Sequence, residues 1–124
     1  MIIAGVGFRS SASCDDIVSI VRRAQAQRGV AAQWLAVPDF KAESATLLEA
    51  AALLGIDLIK VERSCLEAVQ SQCLARSHAA ASATGLASIA EACALAALAP
   101  PSELILGRIS NSRATCALAR SRGP

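Results

Sequence analysis

The sequence predicts a three-layer α/β/α sandwich around about five strands, a mostly parallel sheet with an antiparallel C-terminal strand. Three observations predict it. Short apolar runs alternate with stretches of helical period along the chain, the order that builds parallel β-α-β units. Ser, Gly and Pro stand where the helices would begin and end. The last two strand patterns are joined only by the short polar stretch 108–113, too short for a crossover, so that pair runs antiparallel.

Residues 1–7 form the first apolar run, read as a strand. Ser13 with Asp16 three residues on makes a capping-box start, and Ile17, Ile20, Val21 and Ala24 recur at helical spacing, so helix one covers 14–27 and stops at Gly29. Residues 34–37 read as strand two, ended by Pro38-Asp39. Ser44 caps helix two, whose Leu47, Leu48, Ala51 and Leu54 make one face, with Gly55 just past its end. Residues 57–61 are strand three, and Ser64 with Glu67 opens helix three as a capping box. Residues 76–84, rich in Ala and Ser without a period, read as a connector. Ser88 with Glu91 is a second capping box for helix four, which runs to about residue 99 before Pro100-Pro101. Residues 103–107 and 114–119 are strands four and five. No internal repeat or linker divides the chain, so residues 1–124 read as a single domain, and Met1 as a natural start.

Composition narrows the class of partner. The chain has 124 residues, 54% hydrophobic and 18% charged, the balance of a globular domain rather than a disordered one, and its net charge of +2 says little about partners. Trp34, Phe8 and Phe40 are the whole aromatic complement, which argues against stacking on single-stranded nucleic acid. No apolar run reaches membrane-spanning length. Five cysteines with no paired spacing suggest neither zinc nor a disulfide framework but reduced thiols, so no metal, no cofactor and a cytoplasmic location are expected.

In such sheets ligands sit beyond the carboxyl ends of the parallel strands. Chain order puts the Gly/Ser loop 7–13, the segment 38–44, the start of helix four at Gly85 and Ser88, and the polar stretch 108–113 on that edge. Gly5, Gly7, Arg9, Ser10 and Ser11 lie in or beside the first loop. Arg9, Lys41, Arg108 and Arg113 therefore converge with several helix N-termini, a cationic rim suited to carboxylates or phosphates. Each piece also has a plainer reading: the glycines as a turn, Asp39 and Lys41 as a solvated pair, Ser88 and Glu91 as a cap. His78, the single histidine, lies in the connector. Cys14 stands at a helix start, where a thiol pKa can fall. The glycine pattern is neither a dinucleotide fingerprint nor a Walker loop.

Three ordered segments carry a resemblance. They are Ile3-Ala4-Gly5-Val6-Gly7-Phe8-Arg9-Ser10-Ser11, then Leu35-Ala36-Val37-Pro38-Asp39-Phe40-Lys41-Ala42-Glu43 with Leu47-Leu48-Glu49-Ala50-Ala51 and Leu54-Gly55-Ile56, then Gly85-Leu86-Ala87-Ser88-Ile89-Ala90-Glu91-Ala92 with Thr115-Cys116-Ala117-Leu118-Ala119-Arg120. Together, over nearly the whole chain, they resemble the cobalamin-biosynthesis family of CobE and the CbiG C-terminal domain. The resemblance implies a role in building the corrin ring, and it places the family's Gly-x-Gly-x-Arg on Gly5, Gly7 and Arg9, its Asp-x-Lys on Asp39 and Lys41, and its Gly-x-x-Ser-x-x-Glu on Gly85, Ser88 and Glu91. Phe8, Ser44, Ala87, Gly107 and Arg108 depart from the family's usual residues.

The expected ligand is then a precorrin or corrin intermediate, a flat polycarboxylate, held at the rim. The alternatives are a hydrolase opening a precorrin lactone, with Asp39 or Glu91 as general base, and a non-catalytic partner of another cobalamin-biosynthesis enzyme. No nucleophile–base pair is visible, which favours binding. The oligomeric state is not legible.

Overall fold

The protein is described by a computed structural model, which covers residues 1–69, 89–98 and 102–121. Its strands are β1 (Ile2–Phe8), β2 (Trp34–Pro38), β3 (Asp57–Val61), β4 (Ser102–Ser110) and β5 (Ala114–Ser121), and its helices are α1 (Cys14–Arg28), α2 (Ala45–Leu54), α3 (Arg63–Ala68) and α4 (Ile89–Ala96). The sheet order is β3-β2-β1-β5-β4. β1, β2 and β3 pair in parallel, and β5 runs antiparallel to both β1 and β4. The first four strands thus point one way and β5 the other, as expected. β5 lies inside the sheet, so β4 has no parallel neighbour.

Alternation along each strand sorts the two cores. Ala4, Val6, Leu35, Val37, Cys116 and Leu118 pack under α1 and α2. Ile3, Ala36, Val61 and Ala119 pack under α3 and α4. Side chains of period two feed opposite faces, so each buried strand is apolar on both. The helix ends follow their predicted chemistry. The Ser13 hydroxyl accepts from the Asp16 N–H at 3.1 Å while the Asp16 carboxylate accepts from the Ser13 N–H at 2.9 Å. The Ser44 hydroxyl accepts from the Leu47 N–H at 3.3 Å. Gly29 and Gly55 end α1 and α2 in the left-handed region, at φ 62° and 69°.

Four details differ from the sequence reading. α3 starts at Arg63 after Glu62, and Glu67 pairs with Arg63 at 3.2 Å, so Ser64 lies inside the first turn and caps nothing. An i,i+4 ion pair has replaced the capping box. Leu48 is exposed, since α2 turns Leu47, Ala50 and Ala51 inward. β1 continues through Phe8, so the first loop begins at Arg9. β4 continues to Ser110, placing Arg108 on a strand rather than in a loop. The connector 76–84, His78, Gly85, Ser88 and the proline pair lie outside the described residues.

α4 lies unusually close to the sheet. A Cβ at Gly5 would collide with the Ala90 carbonyl oxygen and come within 2.6 Å of the Ala94 nitrogen, so the helix backbone rests directly on β1. The approach also carries Glu91, which is fully buried, onto β4. There the register shifts between Leu104 and Leu106 and again between Leu106 and Ile109. Such irregularities twist an edge strand and release backbone groups from the ladder. The Arg108 N–H donates to the Glu91 carboxylate at 3.0 Å.

Two stability measurements check these contacts. Gly5→Ala must push α4 off the sheet, and urea unfolding is expected to show a loss near the upper end of the roughly 1–3 kcal/mol typical of overpacking. Glu91→Ala leaves the Arg108 N–H unpaired and is expected to lose about 2–3 kcal/mol, most of it recovered by Glu91→Gln, whose side-chain carbonyl can still accept.

Candidate functional site

Where β1, β2 and β4 end, a cavity of about 550 Å³ opens, within the size range of small-molecule sites. Arg9, Lys41, Arg108 and Arg113 all line it, and no Asp or Glu is among the described residues of its lining. Its apolar surface comes partly from Phe8, Phe40 and Ile89.

Each cation has a distinct anchor. Arg9 follows β1 directly. Its N–H donates to the Arg113 carbonyl at 2.9 Å, and its carbonyl accepts from the Ala12 N–H at 3.0 Å, which closes the turn into α1. Lys41 ends a 3-10 turn, Asp39–Lys41, set up by the extended Pro38 at φ −66°. Its Nζ lies 5.0 Å from the Phe8 ring centroid, a cation–π contact. Arg108 is fixed through its backbone by Glu91. Arg113 sits in the β4–β5 turn and donates from Nη1 to the Ser11 carbonyl at 3.3 Å. Among the described residues, no hydrogen bond or ion pair engages the guanidinium of Arg9 or Arg108.

Asn111 organises this turn. Its Oδ1 accepts from the N–H groups of Arg113 and Ala114 at 3.0 and 2.8 Å, and its Nδ2 donates to the Asp16 carbonyl in α1 at 2.9 Å. Arg23 of α1 adds a bond from Nη2 to the Ser110 carbonyl at 2.9 Å. The hairpin is thereby tied to the helix that follows the Arg9 loop.

Of the residues singled out from sequence, Gly7, Arg9, Ser10, Lys41, Arg108 and Arg113 meet at the cavity. Ser11 stands beside it, its carbonyl held by Arg113. Gly5 lies beneath α4, where its missing side chain serves packing. Asp39 is exposed at the start of the 3-10 turn, and Glu91 is buried behind the Arg108 backbone; neither lines the cavity. Gly85 and Ser88 lie outside the described residues. Sequence reasoning missed Asn111 and Thr115, whose hydroxyl donates to the Gly7 carbonyl at 3.2 Å. An Asn in a polar turn between two strands was the available signal for Asn111, because its side chain closes such turns on itself. Thr115 stands in a segment that carries the family resemblance, but nothing in the sequence pointed to its bond with Gly7.

The helix start does not activate Cys14. Burial first, then the charges of Glu49 and Asp15, push its thiol pKa up. Burial alone pushes the Cys116 thiol up to about 12. Among the described residues, no three His, Cys, Asp or Glu side chains gather as metal ligands, and no helix is long and apolar enough to cross a membrane.

Comparison with known proteins follows the same lines. The family described as Cobalamin synthesis G C-terminus matches residues 2–119. The crystal structure of CobE, a protein from the cobalamin (vitamin B12) biosynthetic pathway, superposes with a TM-score of 0.89 at 29% identity, over 97% of this chain and 89% of that one. The cobalamin biosynthesis protein ChiG from Agrobacterium tumefaciens str. C58 gives 0.79 at 34% identity, over 99% and 100%. A putative cobalamin biosynthesis protein G homolog from Sulfolobus solfataricus shares the fold, at a TM-score of 0.64 and 16% identity, over 99% of this chain but 37% of that one. No curated protein matches the chain. The match over nearly the full length, with the mixed five-stranded sheet it shares with CobE, makes this chain a member of the Cobalamin synthesis G C-terminus family and a protein of cobalamin biosynthesis.

Proposed function

We propose that the protein binds a polycarboxylate precorrin or corrin intermediate at the carboxyl-edge rim. The observation that carries this reading is the convergence of Arg9, Lys41, Arg108 and Arg113 on one cavity whose lining, among the described residues, contains no acid. Family membership supplies a ligand of matching chemistry, a flat macrocycle edged with acetate and propionate groups. The guanidinium and ammonium groups take the carboxylates, and the Phe8 and Phe40 rings lie against the macrocycle. Phe40 is 49% exposed, a large apolar side chain held in water at the cavity mouth, and a ligand there would cover it. The cavity holds one edge of the macrocycle and leaves the rest open for transfer to another pathway enzyme.

In this reading Glu91 serves as a positioning residue for Arg108, and Gly7 lets Thr115 and Ile89 pack close at the cavity wall, where a Cβ would come within 2.9 Å of the Thr115 hydroxyl. Gly5 acts only through the packing of α4. Asp39 starts the turn that aims Lys41.

Titration of a polycarboxylate corrin, followed by its visible absorbance, tests the site. A charge-assisted hydrogen bond contributes roughly 1.5–3 kcal/mol, so Arg9→Ala is expected to weaken binding about tenfold or more. Arg9→Lys should restore only part, since an ammonium cannot make the bidentate contact. The corrin should be recovered at unchanged mass; a gain of one water would replace binding with hydrolysis. Arg9→Ala and Lys41→Ala proteins that fold normally and bind as tightly as the parent would remove the rim as the site.

A further inference from the structure

Arg9 and Arg113 face each other across the open end of the β1–β5 ladder. The register that pairs Phe8 with Ala114 continues one step, and the Arg9 N–H donates to the Arg113 carbonyl at 2.9 Å. Residues directly opposite in an antiparallel pair hold their side chains close on one face, and like charges there destabilise the sheet. Both residues line the cavity, and the described residues of its lining offer no carboxylate to offset them. Among the described residues neither guanidinium forms an ion pair. Arg113 is steadied by the Ser11 carbonyl, and its backbone by Asn111, so its place opposite Arg9 is fixed.

We infer that Arg9 and Arg113 form a receptor for two adjacent carboxylates of one ligand, each guanidinium taking one carboxylate. This deepens the corrin reading, from which it takes the carboxylate chemistry, and it narrows the recognised group to a dicarboxylate such as neighbouring acetate and propionate side chains. A single carboxylate neutralises one of the two cations and leaves the other uncompensated. A dicarboxylate neutralises both and binds as one molecule, so its second contact is intramolecular. Two planar forks also suit carboxylates better than two point charges would.

The probe is succinate against acetate at matched ionic strength, read by the thermal unfolding midpoint of the whole chain. Succinate at ten times its dissociation constant is expected to raise the midpoint by roughly 5 °C, with acetate giving little. Arg9→Gln and Arg113→Gln should each abolish the succinate response, and Arg9→Gln should be no less stable than the parent in dilute buffer. Arg120→Gln, which removes a cation paired with Glu103 at 2.8 Å outside the cavity, should respond like the parent. Equal responses to succinate and acetate, or a full succinate response in both cavity variants, would overturn the inference. Corrin binding is scored separately. A parent that binds corrin without preferring succinate defeats the pair and keeps the rim. A parent that prefers succinate through both arginines but ignores corrin supports the pair and defeats the corrin reading.

Discussion

The contact between α4 and β1 governs much of this molecule. At Gly5 the helix backbone touches the strand with no side chain between them. Because the helix lies so low, Ile89 reaches the cavity wall and Glu91 reaches the backbone of β4. A helix at the ordinary distance from a sheet, separated by a layer of side chains, would carry Glu91 out of reach of Arg108. The small residues of α4 fit the same geometry: Ala90, Ala92, Cys93 and Ala94 are fully buried against the sheet and α3. Alanine-rich composition therefore buys proximity rather than buried area.

The rim is built from segments far apart in sequence that are fixed by backbone hydrogen bonds. Arg9 is bound to Arg113 through the sheet, Asn111 joins the hairpin to α1, and Glu91 holds Arg108. Side chains of the four cations are left largely to the cavity while their backbones are constrained. Such constraint removes backbone disorder at the rim and leaves side-chain freedom, chiefly that of Arg9 and Arg108, as the part still unfixed.

Much of the fold was legible because local chemistry and global architecture agree. The Ser13–Asp16 box and the glycines at 29 and 55 follow from orphan N–H and C=O groups that any isolated helix must satisfy. Strand direction followed from connection length, which also brought Arg9, Lys41, Arg108 and Arg113 to one edge before any coordinates. The misreadings were tertiary. Ser64 and Glu67 have capping-box spacing, yet Arg63 offers Glu67 an ion pair instead. Arg108 looked like a loop residue because the irregular register of β4 breaks the two-residue alternation that identifies a strand. Gly5 read as part of a ligand loop, whereas its reason is a helix 85 residues later whose approach no local pattern encodes. Insertion of β5 between β1 and β4 is likewise a property of the assembled sheet.

That insertion has a kinetic side. β5 is the last strand in sequence and occupies an interior place, bonded to β1 on one side and β4 on the other. Without β5, β1 presents an open edge and the two arginines of the ladder end remain unjoined. Closing the sheet requires a contact between segments more than a hundred residues apart, the sort of long-range pairing that slows folding. The cationic rim, which needs Arg9 and Arg113 brought together, is consequently incomplete in every partly folded form that lacks β5. Assembly of the four cations at one edge therefore marks completion of the fold.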